Sequence, residues 1–364
     1  MNIEEIIDFL EESFPLALQE SYDNCGLICG RGDWDIQSVL ICLDSIEAVV
    51  DEAIQLGANL IIAHHPIIFK GLKKITGANY IERVIEKCIQ NKIALYAIHT
   101  NLDNHRYGVN REIARRLNLK NIQILSPKKN NLNKLIVFVP KDSIHSVDQA
   151  IFNAGGGNIG NYSECHFKSE GTGTFKPNEQ ANPTIGTQGE RTSVSEYRVE
   201  YLINSYHMKS VMKAMINAHP YEEVAYEIYP ILNENQSAGA GMIGQLEKPM
   251  DEKDFLSLVK KEFNCGGIRH TKLLNKKIHQ VALCGGAGSF LLQDAIRNSA
   301  DIFITGDFKY HEFFDAEDKI VIADIGHFES EQFTTNIIAE KLKEKFTNFA
   351  IRLTEINTNP INYF

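Results

Sequence analysis

Three short, almost wholly apolar runs, 38–43 (SVLICL), 59–63 (NLIIA) and 94–98 (ALYAI), alternate with stretches of helical periodicity at 3–10, 46–56 and 81–89. A strand with apolar side chains on both faces must be covered on both faces, so this pattern demands a mostly parallel sheet flanked by helices. The same pattern returns late in the chain. A helical stretch at 253–263 precedes strand runs at 279–284, 301–304 and 320–323. The expected class is therefore α/β, with mostly parallel sheets flanked by helices.

The middle of the chain reads differently. Strand signals at 134–139, 198–203 and 224–231 are interleaved with helical ones at 146–153 and 209–218, the order of a small ferredoxin-like α+β module. Between them lies a tract at 155–192 rich in Gly, Thr, Asn and Pro, whose part at 171–189 reads as a long mobile excursion. The simplest assembly is a discontinuous α/β domain over 1–126 and 247–364, with a ferredoxin-like domain at 130–245 inserted into it. Three domains folded in sequence are the competing picture.

Composition narrows the functional classes. The chain has 364 residues and a net charge of −10 with His neutral, which disfavours nucleic acid and acidic membranes as partners. No apolar run approaches the length of a bilayer span. The opening segment carries Glu4, Glu5 and Asp8 where a secretory signal would be basic. Seven cysteines without a CxxC pair read as reduced thiols, so a cytoplasmic location is expected.

Chemistry collects where the strands end. Asp44 follows the first run, His64 and His65 the second, His99 and Asp103 the third, Asp307 and Asp324 two late ones, with His327 close behind. Loops beyond the carboxyl ends of strands converge on one edge of such a sheet, and ligands bind there. Imidazole with carboxylate is a ligand set for Zn, Fe, Mn or Ni. At the end of a strand and before Pro66, His64 and His65 could splay toward two neighbouring ions; alternatively one is a ligand and the other is solvated. His327 and Glu331 are spaced i, i+4 and share one helical face, as a metal pair or as an ordinary surface contact. Asp103 is the better ligand of its pair, with His99 supporting it from behind.

Three further features have bland readings beside the chemical ones. The glycine-rich turn at 285–289 could cradle a phosphate on its N–H groups or simply join strand to helix. Asp307 and His311, in TGDFKYHE, could transfer protons, orient a metal ligand from behind, or start a helix. His219, in HPYEE, reads as a turn.

Taken together, YDNCGL (22–27), AHHP (63–66), HTNLD (99–103), GTGTF (171–175), HPYEE (219–223), TGDFKYH (305–311) and GHFESE (326–331) resemble the Nif-three-like dinuclear metal proteins. Members of that family carry the name GTP cyclohydrolase I type 2 homologue. The resemblance implies that His64, His65, Asp103, His327 and Glu331 hold two divalent metal ions per subunit, with Glu331 as the bridge. It also implies a middle domain like the small copper-tolerance-type trimeric proteins, and a toroidal homohexamer. Tyr22 stands where the family usually has Trp. Asn104 and His105 also depart from its pattern, which makes His105 a candidate extra ligand. The expected activity is metal-dependent hydrolysis of a nucleotide or phosphorylated small molecule, with Asp307 or His311 moving protons. A non-catalytic metal-binding or metal-sensing ring is the alternative.

Overall fold

The apolar runs form β2 (Ser38–Cys42), β3 (Leu60–Ala63) and β4 (Ala94–Ala97), and every residue in them is buried. Alternate side chains serve two cores. Val39 and Ile41 face the helix Ile3–Ser13, whereas Leu40 and Cys42 face the helices Glu47–Leu56 and Tyr80–Gln90. Helices on both faces are why these strands read as unbroken apolar stretches. The structure, a computed structural model, describes residues 1–364. It divides into one unit of residues 1–127 and 237–364 and another of residues 128–236.

The first unit contains two sheets. One has the order β1-β4-β3-β2-β15, with β1 at Gly26–Cys29 and β15 at Ala350–Leu353. Its pairings are parallel except for β1 against β4. The other sheet has the order β11-β14-β13-β12-β10-β5. In it β5 is Lys120–Lys128, β10 Asn235–Asp251, β11 Arg269–His270, β12 Lys277–Ala287, β13 Ile302–Gly306 and β14 Val321–Asp324. Here β12, β13 and β14 run parallel, while β10 and β11 pair antiparallel with their neighbours. Parallel pairing thus holds the centre of each sheet; the antiparallel β1 closes one edge of the first sheet and β15 closes the other in parallel, while β10 and β11 flank the parallel centre of the second.

The outer segments are interleaved as well as adjacent. The late strand β15 extends the early sheet beside β2, and the early strand β5 lies at the edge of the late sheet. Val39, Ile62 and Tyr96 of one sheet share a continuous core with Val281, Ile304 and Val321 of the other.

The second unit is a four-stranded antiparallel sheet ordered β7-β8-β6-β9, with helices Ile144–Asn153 and Met208–Ala218. Its strands are β6 (Leu132–Pro140), β7 (His166–Phe175), β8 (Thr192–Asn204) and β9 (Tyr226–Ile231). The element order β-α-β-β-α-β is that of a ferredoxin-like fold. One expectation is corrected here in part: 171–175 belong to a strand, while 176–189 form no strand or helix. β7 pairs with β8 over ten positions, from His166↔Tyr201 to Phe175↔Thr192. Most of its side chains are exposed on both faces, so no apolar alternation marks the strand in the sequence. No helix is long and apolar enough to cross a membrane.

Candidate metal centre

The ladder between β2 and β3 continues one step past the last assigned pair. The N–H of His64 donates to the Cys42 carbonyl at 3.1 Å and that of His65 to Leu43 at 2.9 Å, which fixes both backbones. Each ring is then tied through Nδ1. His64 Nδ1–H donates to the Ile98 carbonyl at 2.8 Å, and His65 Nδ1 bonds Asp44 Oδ1 at 2.7 Å. His99 Nδ1 meets Asp23 Oδ1 at 2.8 Å, and His327 Nδ1 meets Asp307 Oδ2 at 2.7 Å. An acceptor at Nδ1 leaves the Nε2 lone pair as the available donor, which is how metal-binding histidines are commonly prepared.

Those Nε2 atoms converge on two carboxylates. Glu331 Oε2 lies 2.9 Å from His65 Nε2, 3.0 Å from His327 Nε2 and 3.8 Å from His64 Nε2. Asp103 Oδ1, from the one-turn helix Thr100–Asp103, is 3.5 Å from His64 Nε2. Potential ligand atoms gather in three overlapping groups, His64–Asp103–Glu331, His65–His327–Glu331 and His64–His65–His99, each within 4.8 Å. His64, His65, Asp103, His327 and Glu331 are therefore brought together.

Glycines allow this approach. The short helix His327–Glu331 lies against β12 and β13, where a Cβ on Gly286 would stand 2.4 Å from Glu331 Oε1 and one on Gly306 would stand 2.8 Å from the His327 nitrogen. Asp307 adopts φ 57, a left-handed conformation uncommon away from glycine, and its carboxylate orients His327.

Without a cation, the electrostatics conflict. Burial, reinforced by the charge of Glu331, pushes the Asp103 carboxyl well above its ordinary range. Burial acts on Glu331 in the same sense, but His327, His64 and His65 outweigh it and hold its carboxyl well below. Burial lowers His64 to about 4. It opposes the protonated form of His65 too, yet Asp44 and Glu331 raise that imidazole to about 9. His64 Nε2 and Asp103 Oδ1 are buried without a hydrogen-bond partner. Buried polar atoms normally have partners, and a divalent cation between N and O donors would satisfy both. The residues fit a metal.

Comparisons with known proteins identify the relatives of the chain. A family model described as Duf34/NIF3 (NGG1p interacting factor 3) matches residues 1–360. The chain belongs to the Duf34/NIF3 family. A Halalkalibacterium halodurans protein named GTP cyclohydrolase 1 type 2 homolog is 41% identical over 368 residues, spanning 100% of this chain and 99% of that one. A Bacillus subtilis protein of the same name is 39% identical over 100% of this chain and 99% of its own. The crystal structure of a Bacillus cereus protein related to NIF3 matches with a TM-score of 0.88 at 40% identity, covering 100% of this chain and 99% of that one.

Other expectations fare differently in this Duf34/NIF3 chain. In the turn at 285–289 three N–H groups are already taken: Gly285, Gly286 and Gly288 donate to Asn110 Oδ1, Ser330 Oγ and Thr305 Oγ1, each at 2.9 Å. His105 is not an extra ligand, since its ring packs edge-on against Phe14 at 5.1 Å and its Nδ1 accepts from the Tyr107 N–H. Asp307 lines the cleft beside the cluster. His311 is exposed, with its ring against Tyr310 and Phe314. His219 sits in the turn after its helix and bonds the Phe138 carbonyl at 3.0 Å. Two orienting acids were given no role from sequence, although signals existed: Asp23 lies within YDNCGL, and Asp44 ends a strand run.

Proposed function

We propose that this chain is a dinuclear metal-dependent hydrolase of a nucleotide or another phosphorylated small molecule. The observation that carries the reading is the buried pair His64 Nε2 and Asp103 Oδ1, unpartnered beside a carboxylate shared by three imidazoles. Within the cluster, His64, Asp103 and Glu331 would hold one divalent ion, and His65, His327 and Glu331 the other, with Glu331 common to both. Such a pair supplies Lewis acidity toward a scissile bond and lowers the pKa of water toward about 7.

The chain's own residues support a phosphorylated, aromatic substrate. The cluster opens on a cleft of about 1200 Å³ whose lining includes Lys70 and Arg269 and the exposed rings of Tyr22, Phe69 and Phe290. Cationic side chains suit phosphate oxygens, and exposed rings suit the face of a base. Arg269 is held for this by the Phe308 carbonyl at 2.9 Å and by the Asp324 carboxylate. Asp307, half-exposed at the edge, links His327 to solvent for proton movement. Relatives named GTP cyclohydrolase 1 type 2 homolog lend their name to this reading, but no residue here singles out guanine. A toroidal hexamer in the cytoplasm belongs to the same proposal, and light scattering of the purified protein tests the assembly.

The deciding experiment combines elemental analysis with a panel of nucleotides and phosphoesters offered to Zn²⁺-, Mn²⁺- or Fe²⁺-loaded protein. Two ions per chain and turnover abolished by His65→Ala are expected. Stoichiometric metal without turnover across the panel would instead favour a metal-binding or metal-sensing role.

A further inference from the structure

Residues 354–364 follow β15 and return across the metal cleft, where Thr358, Asn359, Pro360, Ile361 and Tyr363 contribute to its wall. The segment is anchored at its start by the Thr354 N–H on the Ile41 carbonyl at 2.9 Å and the Glu355 N–H on Glu52 Oε1 at 2.8 Å. Further on, the ring of Tyr363 lies against Gly266 and Gly267, so closely that a Cβ on Gly266 would stand 2.2 Å from it. Between these anchors one side chain reaches toward the cluster. Thr358, 8% exposed, donates its hydroxyl to Asp44 Oδ2 at 2.7 Å.

The other oxygen of Asp44 holds His65 Nδ1 at 2.7 Å, and His65 Nε2 faces Glu331. Both carboxylate oxygens thus have their own donor, so the carboxylate cannot swing without breaking one bond. The orienting groups of His64 and His99 are held from the end of β4 and its neighbour Thr100, without the segment after β15. Ile98 presents a backbone carbonyl to His64, and Asp23, which orients His99, accepts from the Thr100 N–H at 3.0 Å and from its hydroxyl. Asp44 instead draws its second support from a residue 314 positions away.

Resting on the metal reading above, we propose that Thr358 is a positioning residue for the metal centre, acting through Asp44 on the ring of His65. Its hydroxyl sets the carboxylate plane, the carboxylate sets the imidazole, and the imidazole sets one metal-ligand bond. Changes to such supporting partners typically weaken metal affinity by about 10- to 100-fold.

The test is Thr358→Val, which removes the donor at nearly constant volume. Zn²⁺ affinity, read by competition with a chromophoric chelator, should fall about 10-fold, and the visible spectrum of the Co²⁺-loaded protein should shift. Thr358→Ser should restore both. Asn359→Ala, which removes the neighbouring 3.2 Å bond to Glu329 and leaves Asp44 alone, should change neither. Wild-type affinity and spectrum in Thr358→Val would overturn the proposal, as would failure of the serine to rescue or an equal loss in Asn359→Ala. Should Thr358→Val fail to fold, Thr358→Ala against Thr358→Ser makes the same comparison. A wild-type protein that takes up no metal sinks the metal reading and this inference together. Full loading of the wild type with an indifferent Thr358→Val sinks this inference alone.

Discussion

His64 Nε2 and Asp103 Oδ1 face each other across 3.5 Å, both buried and neither hydrogen-bonded. In the metal-free protein this arrangement is a source of instability, because a carboxylate oxygen buried without a partner opposes folding even though the side chain stays 22% exposed. Asp103→Asn should therefore stabilise the metal-free fold by about 1–3 kcal/mol near neutral pH. The folded pKa of Asp103 lies above its ordinary 3.8, so the folded state binds more protons and stability falls as pH rises through that interval. The gap between variant and wild type should close near pH 4. With Zn²⁺ present the order should reverse, because only the wild type gains the stabilisation of metal binding. Thermal melts with and without metal across pH 4–8 check both signs; a less stable metal-free variant would contradict the account.

Metal uptake should release protons. Asp44 and Glu331 raise His65 against its burial to about 9, and Glu331 and Asp307 raise His327 to about 11. In the metal-free protein these raised values add stability below the ordinary 6.5, and it is lost as pH climbs to about 9 and then about 11. A metal ligand must be the neutral imidazole, so at pH 7.5 these two rings release up to about two protons on loading, the raised Asp103 carboxyl adds to the release, and affinity weakens as pH falls. Titration of weakly buffered protein with ZnCl₂ measures the release. His327→Ala should lower it by about one proton, and no release from the wild type would refute the assigned protonation states.

Gly286 should tolerate no side chain. Its φ of 61 disfavours any L residue, and a Cβ would stand 2.4 Å from Glu331 Oε1. Gly57 has a similar φ of 65 at a helix end but open space around it. Each alanine substitution should cost about 1–2 kcal/mol from conformation alone. Only Gly286→Ala should also displace Glu331 and deplete bound metal. Urea melts paired with elemental analysis separate the two effects, and equal metal content in both variants would count against the shared carboxylate.

Asp307 combines a left-handed backbone with an ion pair to His327. Asp307→Gly and Asp307→Ala both remove the acceptor at His327 Nδ1, so metal affinity should fall about 10- to 100-fold in each. Only the glycine also relieves the backbone, so it should be the more stable of the two variants by about 1 kcal/mol. Thermal melts and chelator competition on both variants check this; equal stability of the two would show that the left-handed conformation carries no strain.

What could be read from the residues follows from how far each signal reaches along the chain. Strands β2, β3 and β4 are evident because burial on both faces leaves continuous apolar runs, and the i, i+4 spacing of His327 and Glu331 places both on one helical face. β7 is invisible because its Gly, Thr and Ser residues pair through backbone and pack little. The ordered motifs around His64, Asp103 and Glu331 carried the family resemblance, but not the atom each group would face.

Those assignments belong to tertiary structure. The shared role of Glu331 Oε2 toward His65 joins residues 266 positions apart, and Thr358 reaches Asp44 across 314. The same holds for β15, which joins the early sheet only because the two outer segments share one core. Local periodicity and residue chemistry determined the elements and the kinds of donor available. Which donors meet was decided by the packing of sheets and helices, since a hydrogen bond or metal bond depends on a few ångströms of separation that no sequence spacing of this length specifies.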